Sequence, residues 1–169
     1  MSDPKLLRSA DDLFSLLEAD GVPHRSDPSR GEALIPTRLG PDEEALLALR
    51  WAQADGFVHL FQDLNTPVEP AALPAVDEAI ARLNHSMPVA GFGVNSGTGR
   101  LYYRMTVPLR EGGVLPDTAL RALFSATVKN GADFVGVLRR VARGEISPSE
   151  VVVQAAATLT ARNPSAPSA

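Results

Sequence analysis

The segment from Ile80 to Leu109 constrains the fold most, because it joins the end of a helix to a β-hairpin. Apolar residues at helical spacing stop at Pro88, whose ring cannot continue a helix. The run Asn95–Gly99 then supplies residues that tolerate the positive φ of a tight turn. Past the turn, apolar and polar residues alternate, which predicts one inward strand face: Leu101, Tyr103, Met105 and Val107. The segment predicts a shape and carries no catalytic motif.

A second hairpin is favoured over a helix within residues 41–64. Residues 43–54 are strong helix formers, but the alternation from Leu47 to Trp51 is typical of a strand. Asp55 and Gly56 favour a hairpin turn. A helix over 43–54 stays open as the alternative, and the favoured interpretation is two strands, at 45–53 and 57–64.

Further helices are predicted from caps and periodicity. Ser9 is a typical N-cap and Gly21 a typical helix end. Ser147 and Glu150 form a capping-box pattern around Pro148. The remaining predicted elements are short strands near 22–25 and 33–38, a helix at 74–86, a long helix at 116–143 and a final helix at 147–160.

The element order predicts an α+β fold, because strands and helices do not alternate strictly. We expect an antiparallel sheet of about five strands covered by helices, in the order α-βββ-α-ββ-α, plus a C-terminal helix. The chain has 169 residues, which favours one domain over residues 1–161, with its core at 9–143. The Pro- and Ser-rich end, 162–169, is predicted to be a disordered tail.

The composition argues against most catalytic chemistry. There is no cysteine, so thiolate catalysis and cysteine-ligated metal sites are excluded. His24, His59 and His85 fall in separate segments, and the pair His59 and Asp63 lacks a third ligand or a nucleophile. The glycines at 91–99 lie between strands, whereas a phosphate loop needs a helix start. We therefore expect no enzyme, no catalytic residue, no metal and no cofactor.

The N-terminus indicates a cytoplasmic protein. Its first twelve residues are acidic and lack the apolar run of a signal peptide. No stretch approaches the ~18 apolar residues that a membrane span needs. We expect no membrane partner.

Charge is unevenly distributed along the chain, whose net charge is −4. Residues 1–80 hold 15 acidic and 6 basic residues, and residues 81–169 hold 5 acidic and 10 basic ones. Arg139, Arg140 and Arg143 concentrate positive charge on the long helix. Solvated faces of opposite sign are the simpler account. A nucleic-acid-associated regulator that uses the basic C-terminal helices is the alternative, although it lacks stacking aromatics.

The strand at Phe57–Phe61 is apolar on both faces, which predicts that more protein covers the second face. Three covers stay open: the C-terminal helix, a second subunit or a client segment. An uncovered patch of this kind would be a binding site. The residues that we expect at a dimer or partner interface are Trp51, Phe57, His59, Phe61, Tyr102 and Arg104.

The chain resembles YbjN-like proteins, a family whose fold is similar to that of type III secretion chaperones. The resemblance is carried by Ala79–Pro88, by the Gly91–Leu109 hairpin and by the helix Pro116–Arg143. It covers residues 9–143 by element order more than by invariant motifs. The helix after Ser147 and the region 22–40 depart from the minimal pattern.

The resemblance implies a homodimer that binds another protein and performs no catalysis. We therefore expect a non-enzymatic protein-binding module, chaperone-like or regulatory, that holds a segment of an unidentified client protein. It would use apolar sheet and helix surfaces.

Overall fold

The computed structural model describes residues 4–162 and confirms the predicted α+β class. Within these residues it forms a six-stranded antiparallel sheet, a two-stranded sheet and four α-helices. The elements in chain order are β1 (Leu6–Leu7), α1 (Ala10–Ala19), β2 (Arg25–Asp27), β3 (Glu32–Gly40), β4 (Glu43–Ala52), β5 (Phe57–Pro67), α2 (Leu73–Ser86), β6 (Phe92–Asn95), β7 (Arg100–Pro108), β8 (Leu115–Pro116), α3 (Asp117–Ala142) and α4 (Val151–Arg162).

The main sheet has the strand order β2-β3-β4-β5-β7-β6. It has six strands rather than about five, because the short β2 pairs with β3 as an edge strand. The favoured β4–β5 hairpin is confirmed, and its chain reversal is a 3₁₀ turn followed by Gly56 at φ 72°. Periodicity prevails over helix propensity here because alternate residues of β4, including Leu47 and Leu49, are buried.

The hairpin of β6 and β7 is also confirmed. The side chain of Asn95 accepts hydrogen bonds from the backbone N–H groups of Gly97 and Thr98, which closes the turn. Gly99 has φ 66° and is in close contact with the backbone of Val68, so that position requires glycine. The second strand of the hairpin, β7, then pairs with β5 at the centre of the sheet.

The helices begin where the predicted caps lie. The Ser9 hydroxyl accepts a hydrogen bond from the N–H of Asp12 at 3.2 Å, at the start of α1. Ser147 and Glu150 form the predicted capping box around a single 3₁₀ turn, and α4 follows directly. Because these signals are local, they were readable from the sequence.

All four helices lie on one side of the sheet. α3 packs against β3, β5 and β7, α2 packs against β6, and α1 packs against β4. α4 packs on α2 and α3 and so forms an outer layer. The C-terminal helix therefore does not cover the second face of the sheet, and that expected cover was wrong. Within residues 4–162, the second face has no helix on it.

Two buried contacts fix the position of α3 over the sheet. Gln62 is fully buried in β5, and its amide donates a hydrogen bond to Thr37 at 3.0 Å. Gly131 of α3 lies directly over Gln62, since a Cβ at that position would come within 2.9 Å of the Gln62 Cδ. The glycine that interrupts the helical pattern therefore marks a close approach of helix and strand.

A two-stranded ribbon ties the N-terminus to the start of α3. Leu7 of β1 pairs with Leu115 of β8, and Leu7 is fully buried. The backbone N–H of Asp117 donates to the carbonyl of Lys5 at 2.8 Å. The ribbon, which is not part of the main sheet, therefore helps to hold α1 in place against that sheet.

Two further predictions concern the C-terminal tail and membrane-spanning segments. The tail predicted at 162–169 lies, after its first residue, outside the described residues. Of the helices found between residues 4 and 162, none combines the length and apolar character that crossing a membrane requires.

Candidate functional site

The open face of the main sheet, meaning the side opposite the helices, carries a central apolar patch. Phe61 of β5 is 41% exposed and Leu46 of β4 is 46% exposed. Both are large side chains in strand centres rather than at loop tips. Large exposed apolar side chains in one sheet face mark an interaction surface.

The strand register assembles this patch from neighbouring strands. Leu34, Ala48 and Phe61 lie side by side in one cross-strand row. Pro36 and Leu46 lie opposite each other in the next row. Because side chains alternate between faces, all five point away from the helical layer.

An aromatic pair extends the patch toward β7. The rings of Phe61 and Tyr102 stack with centroids 5.0 Å apart. The guanidinium of Arg104 lies 6.0 Å from the centre of the Tyr102 ring. Gly93 is the cross-strand neighbour of Tyr102, and the Tyr102 ring occupies the space that a Cβ there would need. The glycine thus allows the ring to lie flat on the sheet.

Phe57 and His59 lie at the other end of the same face. Phe57 is 38% exposed, and its ring centre is 6.0 Å from that of His59. The His59 Nδ1 shares a hydrogen bond of 3.0 Å with the Thr106 hydroxyl on β7. His59 and Asp63, which were considered as a pair, do not meet, because Asp63 forms a 3.0 Å ion pair with Arg100.

Charged residues of both signs surround the patch. Cross-strand neighbours of opposite charge include Glu32 with Arg50 and Glu44 with Arg38. Arg104 has no carboxylate within ion-pair distance among residues 4–162. The charged residues on the open face are Arg25, Asp27, Glu32, Arg38, Glu44, Arg50, Asp63, Arg100 and Arg104.

Trp51 lies apart from the other five expected interface residues. Its side chain is 4% exposed and belongs to the helix-covered face, like its cross-strand neighbour Val58. The indole N–H donates to the Gln53 Oε1 at 2.6 Å. The expectation that Trp51 faces a partner is corrected, since Trp51 belongs to the core. The structure brings together Phe57, His59, Phe61, Tyr102 and Arg104.

The basic residues at the C-terminal end of α3 are paired with carboxylates. Arg139 pairs with Glu43 of β4, and Arg143 and Arg140 both pair with Glu145. Hydrogen bonds from Arg139 hold the pKa of the Glu43 carboxyl below its usual range. The helix face therefore presents ion pairs rather than a free positive surface.

The other two cations of α3 are paired in the same way. Arg121 bonds to Asp20 and Asp117, and Lys129 bonds to Asp133. The hydrogen bond from Arg121 holds the pKa of Asp20 below its usual range. Phosphate binding would have to compete with these internal partners.

The open face has contact chemistry rather than catalytic chemistry. A shallow cavity of about 420 Å³ lies beside Phe61 and Arg104. No cluster of three or more His, Asp or Glu residues in the part of the chain that the structure describes is placed to hold a metal ion. The chemistry that the face offers is apolar contact, ring stacking and ion pairing.

Sequence reasoning missed Leu46, Leu34 and Pro36 as parts of this face. Their positions followed from the pattern, because they alternate with residues that were predicted to be buried. A sheet that is covered on one face only is expected to carry polar residues on its other, solvent-facing side. The apolar residues at these positions, where polar ones are expected, were the signal in the sequence that the patch is larger than the predicted set.

Comparison of the chain with curated proteins finds no matching relative. A family model does match, over residues 9–139, which is more than half of the chain. Its description is YbjN, a putative bacterial sensory transduction regulator. The matched range runs from the cap of α1 into the last turns of α3 and includes every strand of the main sheet. The chain belongs to the YbjN family.

Proposed function

We propose that this protein is a non-enzymatic regulator that dimerises through the open face of its sheet and, as a dimer, binds another protein. The observation that carries the proposal is the exposed apolar patch around Phe61 and Leu46. The family's description as a regulator supports a binding role over catalysis. The cytoplasm is the proposed location.

The occupant that we propose for the open face is a second copy of the chain. The four long strands, β3, β4, β5 and β7, alone offer roughly 19 Å by 30 Å of surface, about 600 Å². A standard interface buries ~800 Å² per partner. With its two short edge strands, β2 and β6, the open face comes close to the area of such an interface.

Charge on the open face suits self-association. Five arginines and four carboxylates surround the apolar centre, so neither sign dominates. In a two-fold dimer the same patch meets itself, and a patch of one sign would repel its copy. The unpaired Arg104 is proposed to meet a carboxylate of the second copy.

Sedimentation equilibrium over a concentration series tests the dimer. The wild type is expected at twice the chain mass. Phe61→Asp and Leu46→Asp are expected to give monomers with an unchanged fold by circular dichroism, because each places a charge in the apolar centre. Val153→Asp is the matched control, since Val153 is 69% exposed on α4, far from the open face; it should remain a dimer.

A wild-type monomer throughout the series would overturn the proposed dimer. Dissociation of Val153→Asp together with retention of the Phe61→Asp dimer would move the interface to the helical layer.

The dimer is further proposed to hold a segment of a client protein. The resemblance to secretion chaperones supports this part, and affinity capture followed by mass spectrometry identifies the client. The purified client is then titrated in rising salt. Apolar contacts should tolerate salt, whereas a steep loss of affinity with salt would indicate phosphate-like contacts and favour the nucleic-acid alternative. The paired state of Arg139, Arg140 and Arg143 argues against that alternative.

A further inference from the structure

A cleft on the helical layer lies between α2, α3 and α4. Its volume is about 400 Å³, within the ~300–1,000 Å³ typical of small-molecule sites. Residues 87–89, which follow α2, form part of its wall. The apolar side chains that line it are Leu83, Met87, Pro88, Val89, Ala126, Phe134, Val152, Ala155, Ala156 and Leu159.

The floor of the cleft is held rigidly by the core. The Tyr103 hydroxyl donates to the carbonyl of Val89 at 3.0 Å and accepts a hydrogen bond from Asn130 at 2.9 Å. Burial raises the pKa of the Tyr103 phenol, which keeps this donor protonated. Two walls of the cleft, the segment after α2 and the helix α3, are therefore tied to β7.

Among the described residues that line the cleft, Lys129 is the only cation. Its ammonium donates to Asp133 at 2.8 Å, and its side chain is 59% exposed. An ammonium has three donors, so two remain for a ligand at the mouth. The Asp133 side chain, in contrast, is almost completely shielded from solvent.

We propose that this cleft binds a free medium-chain carboxylic acid. The alkyl chain lies among Leu83, Phe134 and Leu159, and the carboxylate accepts hydrogen bonds from the Lys129 ammonium at the mouth. An apolar body matches the apolar walls, and a negatively charged acceptor head matches the cationic donor at the mouth.

The site is independent of the proposed function. Phe61 lies across the sheet from the cleft, and no residue lines both the cleft and the cavity beside Phe61. Failure of one proposal therefore leaves the other standing.

Isothermal titration calorimetry of the full chain with octanoate, decanoate and dodecanoate, below micelle-forming concentrations, tests the proposal. Saturable binding at one site per chain is expected. Each added methylene should tighten binding by up to about fourfold until the cleft is full. Decyltrimethylammonium, whose head cannot accept from Lys129, and methyl decanoate, which stands for ester-linked acyl chains, should bind at least tenfold more weakly.

A substitution that fills the cleft with a larger side chain tests whether the acid binds there. Ala156 lines the cleft and Ala157 does not, although both lie on α4 and are exposed. Ala156→Leu should weaken decanoate binding at least tenfold, while Ala157→Leu should leave it unchanged. Both variants should melt within a few degrees of the wild type, because leucine and alanine are both good helix formers.

Three results would overturn the proposal. They are no saturable binding of any acid, equal effects of Ala156→Leu and Ala157→Leu, and binding of the ammonium or ester probe as tight as that of decanoate. The last would show that the cleft selects an alkyl chain without a carboxylate.

Discussion

The ring of Phe61 stacks on that of Tyr102 on a sheet face that no helix covers. The two residues come from different strands, β5 and β7, and their Cα atoms are diagonal rather than directly opposite, since Phe61 pairs with Arg104. Offset stacking of this kind gives stability beyond simple burial. The pair keeps two large rings ordered on an exposed surface, where a partner can meet them without first immobilising them.

The Phe61–Tyr102 pair is expected to be energetically coupled. Phe61→Ala, Tyr102→Ala and the double variant form a double-mutant cycle in urea unfolding. We expect a coupling free energy of about 0.5–1.5 kcal/mol, because offset ring pairs contribute that much. The measurement is made at concentrations at which the chains are monomeric. Strict additivity of the two single changes would show that the rings do not interact in solution.

Substitutions of Tyr103 should lower the free energy of unfolding more than the same substitutions of Tyr102. Tyr103 is fully buried and its hydroxyl makes two hydrogen bonds. Tyr103→Phe leaves the Val89 carbonyl without this donor and should lower the free energy of unfolding by about 1–3 kcal/mol.

Tyr103→Ala, which also leaves a cavity, should cost about 3–5 kcal/mol. Tyr102→Phe is the control, expected within about 0.5 kcal/mol of the wild type. The reverse ranking of Tyr102→Phe and Tyr103→Phe in thermal and urea unfolding would contradict the face assignment.

The two glycines of α3 should respond in opposite directions to alanine. A Cβ at Gly131 would come within 2.9 Å of Gln62 in the buried interface, so Gly131→Ala must displace either the Gln62 side chain or α3. We expect a loss of about 1–3 kcal/mol, as for other overpacked cores. Gly136→Ala meets nothing within 4 Å and should gain about 0.5–1 kcal/mol from helix propensity. Equal effects of the two changes in urea unfolding would refute the close approach.

Acid should weaken the tie between β4 and α3. Hydrogen bonds from Arg139 lower the pKa of the Glu43 carboxyl in the folded state. The stability that this pair gives is therefore complete above the unfolded pKa of about 4.3 and is lost as the pH falls below it.

Glu43→Gln should lower the free energy of unfolding by up to about 1 kcal/mol at pH 7 and by less at pH 3, since the pair is partly exposed. Glu44→Gln, one residue along and exposed, is the control and should not change the pH profile. An equal effect of Glu43→Gln at both pH values would show that the charge is not responsible.

Both hairpins and the helix caps were predictable because their signals are local. Asp55–Gly56 and Asn95–Gly99 favour reversal within a few residues, and the alternation around Tyr103 decides its face by itself. The capping box at Ser147 needs only four residues. Such features do not depend on how the elements later pack.

The cover of each sheet face was not predictable in this way. Phe57 and Val58 are both apolar, so the strand pattern alone does not tell which of them meets the helices. α4 packs on a surface that α2 and α3 form together, and that surface exists only once the two helices have packed against the sheet. Trp51 was misplaced because an aromatic residue is as common in a core as at an interface.

The ribbon of β1 and β8 joins parts of the chain that are far apart in sequence. Leu7 and Leu115 are separated in the sequence by every strand of the main sheet and by α2, so their pairing closes a very long loop. Closing so long a loop costs entropy that no local contact offsets. The N-terminal strand and α1 are thus expected to dock last. Their amide hydrogens should exchange with solvent before those of β5, which exchange only on global unfolding.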